Sequence, residues 1–325
     1  MNPEKIFSIS SEQDFNKVAL EVFRFQYENN SVYRKFSDLL KIDPKQVDTI
    51  EKIPFLPIDL FKNHKVLSSK DKIQKTFTSS GTTGAKTSKH HVTDLSIYEQ
   101  SFNLGFQQFY GNIKDYVVLA LLPSYLEREG SSLIYMAQHL IEKSGHSDSG
   151  FYLNNLSELQ SKLISLDKQG QKVLLIGVSF ALLDLAENFQ FNLKNTIIME
   201  TGGMKGRRKE MIREELHSIL KKGFGVSTIH SEYGMTELLS QAYSSGNGIF
   251  EYPLWMKILI RDPEDAQSYL KTNSTGGINV IDLANINSCS FIATQDLGKK
   301  SENNSIEIMG RFDNSDIRGC NLLVL

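Results

Sequence analysis

Apolar residues near the amino end of the chain recur at the spacing of a helix. The positions i, i+3, i+4, i+7 and i+8 are occupied by Phe15, Val18, Ala19, Val22 and Phe23. This spacing predicts a helix with one buried face, which Ser10 or Ser11 can cap at its amino end. Pro54 and Pro57 then interrupt the pattern, so 53–60 is predicted to be a connector with an extended entry.

From about Lys75, short apolar runs that are typical of buried strands alternate with helical patterns. The predicted strands are 116–122, 173–176, 195–199 and 226–230. The predicted helices are 131–143, 180–187 and 207–222. Alternation of this kind favours a mostly parallel sheet that helices cover on both faces.

Beyond about Gly248 the helical patterns stop, and short β-like runs are separated by Gly, Asn and Asp. We therefore expect an α/β protein built as one large body with three parts. These are a helical amino-terminal part over 1–75, an α/β core over 76–247 and a smaller, mainly β subdomain over 248–325.

Composition and charge narrow the functional classes. The 325 residues are 40% hydrophobic and 23% charged, which excludes a wholly disordered chain. The 36 Lys and Arg residues are balanced by 38 Asp and Glu residues, so no basic excess indicates nucleic-acid binding. The longest apolar stretch, 173–183, is broken by Gly177 and Ser179 and is shorter than the ~20 residues of a membrane-spanning helix.

The cysteines and the amino terminus indicate in which cellular compartment the protein is expected. Cys289 and Cys320 are the two cysteines of the chain, which are too few for a disulfide framework and fit a reducing environment. The first residues lack the basic and apolar regions of a secretory signal. We therefore expect a cytoplasmic protein.

A run rich in Ser, Thr and Gly follows a predicted strand that ends at Phe77. Residues 78–88 read TSSGTTGAKTS. Glycines let main-chain N–H groups approach an anion closely, and the hydroxyls and one lysine add donors. This chemistry suits a phosphate, although the spacing differs from that of a P-loop. The alternative is a polar surface turn, and composition alone leaves both open.

Two carboxylates follow the last predicted strand of the α/β core. Residues 230–237 read HSEYGMTE, and open α/β sheets bind their ligands at the carboxyl ends of strands. Glu237 is a candidate ligand of Mg²⁺, which prefers carboxylate oxygens and substrate phosphates. The alternative is a solvated loop that leads into a helix, where a glutamate near the amino end is favoured by the helix dipole.

Four motifs occur in the order found in adenylate-forming enzymes. The run at 78–88 resembles their phosphate loop, and 230–237 resembles their Tyr-Gly-x-Thr-Glu motif. ATQDLG at 293–298 is similar to the segment whose aspartate holds the ATP ribose. GRFD at 310–313 is similar to the Gly-Arg-x-Asp stretch that precedes the hinge of those enzymes.

Three further segments resemble the acyl-protein synthetase family (long-chain-fatty-acid luciferin-component ligases) of the bacterial fatty acid reductase complex. They are LPSYLEREGSSLIYM at 122–136, ETGGMKGRR at 200–208 and SDIRGCN at 315–321. The resemblance covers essentially the whole chain. It implies the large domain of an adenylate-forming enzyme, with mostly parallel sheets flanked by helices and a smaller β subdomain. The small carboxyl-terminal lid domain is expected to be missing, because the sequence ends shortly after Asp313.

The resemblance implies an ATP-dependent acid–thiol ligase that converts a long-chain fatty acid to acyl-AMP and then acylates a cysteine of the enzyme. It implies catalytic roles for Cys320, Glu237 and Lys86, with Mg²⁺ bound by Glu237. The nucleotide-binding residues that it implies are Ser79, Ser80, Gly81, Thr82, Thr83, Gly84, Gly202, Gly203, Met204, Tyr233, Gly234, Thr236, Asp296 and Arg311. Lys86 or Lys205 is expected to replace the lysine of the missing lid.

Other residues near these motifs carry weaker expectations. Gly202 and Gly203 lack side chains and can border an adenine ring. The basic residues that follow are candidates to face phosphate, and they are Lys205, Arg207, Arg208 and Lys209. For Arg208 and Lys209 a solvated first turn of a helix is an equal alternative. Arg318 and Gly319 can lower the pKa of Cys320 or ease its movement, whereas Cys289 lacks such neighbours and is interpreted as structural.

A hydrolase is the competing catalytic interpretation. Residues 177–181 read GVSFA at a predicted strand-to-helix turn, which approximates the Gly-x-Ser-x-Gly elbow. The last position departs from that pattern, and no histidine follows His230. We favour a place for Ser179 on the substrate side of the adenylation site. His90 and His91 are adjacent, so in a strand they point to opposite faces, and no zinc-site spacing accompanies them.

Two alternatives to an acyl-protein synthetase remain. One is an acid–CoA ligase of the phenylacetate type, which releases acyl-CoA. The other is a non-catalytic nucleotide-binding subunit that docks onto a reductase. The resemblance further implies a fatty acid substrate, an acyl reductase or acyltransferase as partner, and self-association.

Overall fold

The computed structural model describes residues 3–79, 86–122, 130–153, 155–203, 208 and 211–311. Within this part of the chain the α-helices are α1 (Glu4–Phe7), α2 (Glu12–Asn29), α3 (Ser31–Leu39), α4 (Leu60–Asn63), α5 (Leu95–Tyr110), α6 (Ser132–Ser144), α7 (Leu156–Lys168), α8 (Ser179–Asn188) and α9 (Arg213–Phe224). Short 3₁₀ turns lie at Ile50–Lys52, Ile113–Asp115 and Leu283–Asn285. No described helix is long and apolar enough to cross a membrane.

The strands follow in chain order. They are β1 (Leu56–Pro57), β2 (Lys75–Thr78), β3 (Lys89–Val92), β4 (Val117–Leu121), β5 (Gly150–Tyr152), β6 (Val173–Val178), β7 (Thr196–Thr201), β8 (His230–Tyr233), β9 (Ala242–Ser244), β10 (Ile249–Phe250), β11 (Met256–Arg261), β12 (Thr275–Asp282), β13 (Phe291–Lys300) and β14 (Ile306–Arg311). From residue 249 to residue 311 the described chain contains no α-helix, as the sequence predicts.

Residue contacts divide the chain into two compact units. The first unit comprises Met1–Ile97, Glu237–Ser240 and Glu251–Leu325, and the second comprises Tyr98–Thr236 and Gln241–Phe250. The motif at 230–237 therefore belongs to both, because Glu237 is part of the first unit and the preceding residues are part of the second.

Helix α2 of the first unit has the predicted buried face, since all five apolar residues of the pattern are buried. Ser11 caps it by accepting the N–H of Asp14, which confirms one of the two predicted caps. Aromatic side chains fill the core below this helix, with Phe23 and Tyr33 each in ring contact with Phe291. The hydroxyl of Tyr33 donates to the main-chain oxygen of Pro54 over 2.7 Å, so its one polar atom is satisfied inside the core.

Antiparallel pairing from β11 through β14 builds the larger sheet of the first unit. Strand β1 joins β13 in parallel, with Leu56 opposite Ile292. The sequence predicts only a connector over 53–60, because Pro54 and Pro57 interrupt the apolar pattern and leave a strand of two residues unrecognisable. Strands β2 and β3 form a separate antiparallel hairpin, in which Thr78 lies opposite Lys89.

The sheet of the second unit has the strand order β5-β4-β6-β7-β8-β9, parallel throughout except for the antiparallel edge strand β9. Every residue of β4 and β6 is buried, as expected for strands that are covered on both faces. These observations confirm the predicted α/β class. Helices α8 and α9 approach each other at Gly223, where an added Cβ would lie 2.6 Å from the Cβ of Ala186.

Two predicted boundaries in the second unit are wrong. Helix α9 begins at Arg213 rather than at residue 207, and the following strand covers His230–Tyr233 rather than 226–230. Gly225 explains the second error, because it takes a left-handed conformation (φ 66°) and ends the helix. The N–H of Val226 then bonds to the main-chain oxygen of Lys221, so this apolar residue belongs to the helix exit.

Candidate active site

The candidate phosphate loop is closed at its base by two hydrogen bonds. Ser79 donates its N–H to the main-chain oxygen of Ser88 over 3.2 Å, and Ser88 donates its N–H to Ser79 Oγ over 2.9 Å. Ser79 and Ser88 are therefore held together at the end of the β2–β3 hairpin. Lys86 is exposed and donates to Asn63 Oδ1 over 2.9 Å. The residues between, which include Ser80, Gly81, Thr82, Thr83 and Gly84, lie outside the described part of the chain.

Glu237 is buried in the first unit, with 5% of its surface exposed. Burial raises the pKa of its carboxyl group, and a hydrogen bond from the Ser88 side chain is the largest influence in the opposite direction. The positive charges of Arg311 and Lys62 also lower this pKa. Burial outweighs the donor and the two cationic groups, so the pKa of this carboxyl group lies above its usual value.

A single buried carboxylate fits a site for Mg²⁺. This ion usually keeps several waters and binds to one or two carboxylates together with substrate phosphates. Among the described residues no group of three His, Cys, Asp or Glu side chains forms an all-protein metal cage. Glu237 would be the protein ligand of such an ion.

The segment after Glu237 is held by buried polar side chains of the same unit. Asp282 accepts the N–H of Leu239 over 2.7 Å and the N–H of Ser240 over 3.0 Å. Asn285 donates its side-chain amide to the main-chain oxygen of Glu237 over 2.7 Å. Sequence analysis missed Asp282 and Asn285, since neither lies in a recognisable motif.

The candidate ribose aspartate and the Gly-Arg motif meet within the first unit. Asp296 on β13 lies opposite Arg311 on β14, and 3.7 Å separates Arg311 Nε from Asp296 Oδ1. The Arg311 side chain is largely exposed, so its guanidinium remains accessible to an anion. Thr294 accepts the N–H of Asp296 on its hydroxyl over 3.1 Å, and the half-buried Arg261 donates to the main-chain oxygen of Thr294 over 2.6 Å.

The candidate adenine turn lies at the carboxyl end of β7 in the second unit. Gly202 has a φ of 66°, a left-handed conformation that favours glycine, and an added Cβ on Gly203 would meet no atom within 4 Å. Ser179 Oγ lies 3.1 Å from the main-chain oxygen of Gly202 and 3.3 Å from Glu200 Oε2, within hydrogen-bond distance of both. Met204 lies outside the described residues.

Glu200 is a buried carboxylate that the sequence analysis did not single out. Arg213 Nε and His217 Nε2 each lie 3.6 Å from Glu200 Oε1. The nearest partners of Ser179 Oγ are thus a carboxylate and a main-chain oxygen rather than an imidazole, and Ser179 is buried. This environment does not favour the hydrolase alternative, which needs an accessible, base-activated hydroxyl.

Strand β8 brings Tyr233 and Gly234 to the same end of the sheet. The preceding residue, Glu232, accepts a hydrogen bond from Thr201 Oγ1 over 2.5 Å, and burial raises its pKa to about 7. An added Cβ on Gly234 would lie 2.5 Å from Glu232 Oε1, so any side chain at this position would require the Glu232 carboxylate to move. Thr236 follows in a turn.

Arg208 is engaged by acidic side chains of α8. It forms ion pairs with Asp184 and with Glu187, whose Oε2 lies 2.8 Å from Arg208 Nη2. Arg208 precedes α9, so it does not form the first turn of that helix, and these pairs engage its guanidinium. Lys205, Arg207 and Lys209 lie outside the described part of the chain.

The two cysteines differ in what the structure describes. Cys289 is fully buried, and burial raises the pKa of its thiol to about 12. It is therefore a neutral thiol at neutral pH and a poor nucleophile. Cys320, Arg318 and Gly319 lie outside the described residues.

Comparison with known proteins identifies relatives of the chain. The family described as "Acyl-protein synthetase, LuxE" matches residues 4–124. A long-chain-fatty-acid–luciferin-component ligase of Vibrio harveyi is 22% identical over 337 aligned residues, which cover 92% of this chain and 84% of the relative. A protein of the same name from Photorhabdus luminescens is 37% identical over 71 residues, which are 22% of this chain and 60% of that relative.

Solved structures share the fold at low sequence identity. An open conformation of 2-hydroxyisobutyryl-CoA ligase, with 2-HIB-AMP and CoA bound, superimposes with a TM-score of 0.69 at 11% identity and covers 93% of this chain. ATP-bound MatB from Rhodopseudomonas palustris gives a TM-score of 0.56 at 16% identity over 75% of this chain. The chain spans 70% of the first protein and about half (49%) of the second. The predicted fold of an adenylate-forming large domain is thereby confirmed.

Proposed function

We propose that the chain, a member of the acyl-protein synthetase family of ligases, activates a long-chain fatty acid with ATP and transfers the acyl group to its own cysteine. In the first step the fatty carboxylate attacks the α-phosphorus, and pyrophosphate leaves. In the second step a thiolate attacks the acyl carbon, a thioester forms and AMP leaves. The printed names of the two curated relatives support the fatty acid as substrate.

The observation that carries this proposal is the buried carboxylate of Glu237 beside the base of a Ser/Gly/Thr loop. Ser88 closes the base of that loop by its bond to Ser79, and its side chain acts to lower the pKa of the Glu237 carboxyl group. A loop of main-chain N–H groups and hydroxyls can hold phosphates, and one carboxylate can hold the ion that accompanies them.

Magnesium bound by Glu237 would neutralise charge on the phosphates as the anionic carboxylate approaches. Lys86 and the residues Ser79–Gly84 are proposed to bind the phosphates. Asp296 is proposed to accept the ribose hydroxyls, with Arg311 as a donor to ribose or phosphate oxygen. We assign the adenine to the turn of Gly202, Gly203 and Met204, with Tyr233, Gly234 and Thr236 as further nucleotide contacts.

Cys320 is proposed as the acyl acceptor. The chain has two cysteines, and the buried, neutral thiol of Cys289 is unsuited to attack on an acyl-adenylate. A thioester conserves the energy of activation, so an acyl reductase or acyltransferase is the class of partner that would consume it. A free thiol with this role needs a reducing compartment, and we therefore propose the cytoplasm.

Replacement of Glu237 tests the nucleotide half of the proposal. Glu237→Gln keeps the shape of the side chain and removes its charge, and it should sharply reduce fatty-acid-dependent ATP–pyrophosphate exchange. Glu302→Gln, on an exposed turn of the same unit, is the matched control and should exchange normally. Normal exchange in Glu237→Gln would overturn the assignment of magnesium to this carboxylate.

Replacement of each cysteine tests the transfer half. Cys320→Ser should keep exchange but lose the hydroxylamine-labile labelling of the protein by radioactive fatty acid. Cys289→Ser should keep both, since its thiol is buried. Undiminished thioester labelling of Cys320→Ser would remove that cysteine from the reaction.

A further inference from the structure

We propose that Arg261 and Thr294 are positioning residues, which hold a bulge of strand β13 in the shape that presents Asp296 to the ribose of ATP. This inference rests on the proposed function and deepens it, because Asp296 is the proposed acceptor of the ribose hydroxyls. All of the residues concerned belong to the first unit. Arg261 and Thr294 act through the main chain that carries Asp296.

Asp296 lies where the pairing of β12 with β13 is irregular. On β12 a single residue separates the paired residues Gly277 and Asn279. Their partners on β13, Leu297 and Ala293, are separated by three residues, of which Asp296 is the last. An excess of residues on one strand is a β-bulge, which bends that strand and re-aims a side chain. The shape of the bulge therefore decides where the carboxylate of Asp296 points.

The guanidinium of Arg261 joins the two strands at this bulge. Arg261 is the last residue of β11, and its side chain reaches across β12 to β13. Its Nη1 donates to the main-chain oxygen of Ile278 over 2.8 Å and to Asn279 Oδ1 over 2.9 Å. Its Nη2 donates to the main-chain oxygen of Thr294 over 2.6 Å. One planar group thus bonds to the main chains of both strands where their pairing is irregular.

Gly277 leaves room for this path across β12. An added Cβ on Gly277 would lie 2.5 Å from Arg261 Cζ and 2.8 Å from Arg261 Nε. The guanidinium therefore lies directly against the main chain of β12, in space that a side chain at this position would take. Because hydrogen bonds to both strands hold the guanidinium there, it could yield to such a side chain only by giving up some of those bonds.

The side chain of Thr294 connects this contact to Asp296. Its hydroxyl donates to the main-chain oxygen of Ile278 over 2.9 Å and accepts the main-chain N–H of Asp296 over 3.1 Å. Thr294 is 2% exposed, so water does not compete for these bonds. Arg261 thus fixes the main chain of Thr294, and the Thr294 hydroxyl fixes the N–H of Asp296.

The bulge is also held from the side of β1. Gln295 donates its side-chain amide to Asp59 Oδ2 over 2.5 Å. Ile58 donates its N–H to the main-chain oxygen of Ala293 over 3.0 Å. Contacts on both sides of β13 therefore restrain the residues that precede Asp296.

A restrained bulge has a consequence for the choice of nucleotide. Asp296 can accept a ribose hydroxyl only if its carboxylate lies within hydrogen-bond distance of that hydroxyl. A displaced bulge loses this contact, whereas the contacts of the base and the phosphates remain. Binding of ATP should then weaken, and binding of 2′-deoxy-ATP, which lacks one of the hydroxyls, should change little. A general defect in folding would instead weaken the binding of both nucleotides alike.

Calorimetric titration with ATP and with 2′-deoxy-ATP, both in magnesium, measures this choice. The unmodified chain should bind ATP roughly tenfold more tightly than 2′-deoxy-ATP, as expected for a hydrogen bond to a charged group. Thr294→Val has a similar shape but no hydroxyl, and it should reduce this preference to about threefold or less. Thr294→Ser retains the hydroxyl and should preserve the preference.

Variants on the Arg261 side of the bulge should behave like Thr294→Val. Arg261→Met removes the donors, and Gly277→Ala displaces the guanidinium without removing it, so both should reduce the preference for ATP. Arg34→Met, at an exposed arginine of the same unit, is the matched control and should bind both nucleotides as the unmodified chain does. Because three positions are varied, a single variant that fails to fold leaves the test intact.

Asp296→Ala supplies the decisive comparison. It should abolish the preference by itself, and Thr294→Val added to it should change the ratio of the two affinities by less than about twofold. A preference that is unchanged in Thr294→Val and Arg261→Met would overturn the inference, as would an equal loss of affinity for both nucleotides. An unmodified chain that binds ATP and 2′-deoxy-ATP equally would instead overturn the proposed ribose site, and one that binds neither would overturn the proposed function.

Discussion

The carboxylate of Asp282 accepts two hydrogen bonds from Ser240, one from its N–H over 3.0 Å and one from its hydroxyl over 2.6 Å. Trp255, the only tryptophan of the chain, donates its indole N–H to the same hydroxyl over 3.0 Å. Asp282 and Ser240 are both fully buried. The segment that begins with Glu237 is therefore held to the end of β12, within the first unit, by a buried cluster of hydrogen-bonded polar side chains.

Loss of the hydrogen bonds to Asp282 should destabilise the protein. Asp282→Ala leaves two main-chain N–H groups and the Ser240 hydroxyl with a lost acceptor, and it should lower the free energy of unfolding by about 3 kcal/mol. Urea denaturation, with the fluorescence of Trp255 as the local signal, measures this change. Asp262→Ala, whose carboxylate accepts one N–H on an exposed turn, should cost under ~1 kcal/mol. Equal losses in the two variants would contradict the assigned role.

Glu232 should make the stability depend on pH. Burial raises the pKa of its carboxyl group from 4.5 to about 7, so the folded state holds the proton more tightly than the unfolded state. The free energy of unfolding should therefore be highest below pH 4.5 and fall as the pH rises to about 7. The shift corresponds to about 3 kcal/mol. Chemical denaturation at several pH values should show this fall in the unmodified chain and a smaller one in Glu232→Gln; identical profiles would contradict it.

Ser179 should affect the binding of the nucleotide rather than of the fatty acid, in contrast to the substrate-side position that its sequence context favours. Its hydroxyl supports Gly202, whose turn is proposed to border adenine, and Glu200 shares that hydroxyl. Ser179→Ala should raise the KM for ATP several-fold and leave the KM for the fatty acid unchanged in the exchange assay. Ser161→Ala on α7, whose hydroxyl donates to the Ser157 main chain at the surface, is the control. A change confined to the fatty acid KM would place Ser179 elsewhere in the reaction.

Gly223 should tolerate no side chain. An added Cβ would lie 2.6 Å from the Cβ and 2.9 Å from the main-chain oxygen of Ala186, so α8 and α9 would have to separate. Gly223→Ala should cost about 1–3 kcal/mol of stability, despite the better helix propensity of alanine. Gly150→Ala, where an added Cβ meets nothing within 4 Å, is the control in the same unit. A stabilised Gly223→Ala variant in thermal unfolding would refute the close approach.

The parts of the fold that the sequence predicted are those that local pattern determines. Strands β4 and β6 are nearly continuous apolar runs, β7 contains three consecutive apolar residues, and the buried face of α2 follows from helical spacing. Strand β1 escaped prediction, because its two residues become a strand only by pairing with β13 far along the chain. Residues 226–229 look like a strand by composition, yet the left-handed Gly225 decides their conformation.

The candidate site, like the fold, was predicted from the sequence only where a local pattern marks the residues. Glu237, Asp296 and the loop at 79–86 were found because they lie in short motifs with a recognisable chemistry. Ser88 and Glu200 lie inside the motifs at 78–88 and 200–208 but were not singled out, and Asn285 lies in no motif, because the partners of Glu200 and Asn285 are on distant segments. A buried polar residue of this kind has no signature in its neighbours along the chain. Its role becomes visible only when burial and hydrogen-bond partners are known.

One experiment on the unmodified chain tests whether it activates a fatty acid and acylates its own cysteine. Pyrophosphate exchange and protein-bound acyl group are measured together, with ATP and a radioactive long-chain fatty acid, in the presence and absence of coenzyme A. We expect pyrophosphate exchange that depends on the fatty acid, and a hydroxylamine-labile acyl-protein that forms without coenzyme A. Release of acyl-CoA with no bound acyl group, or the absence of any exchange, would contradict it.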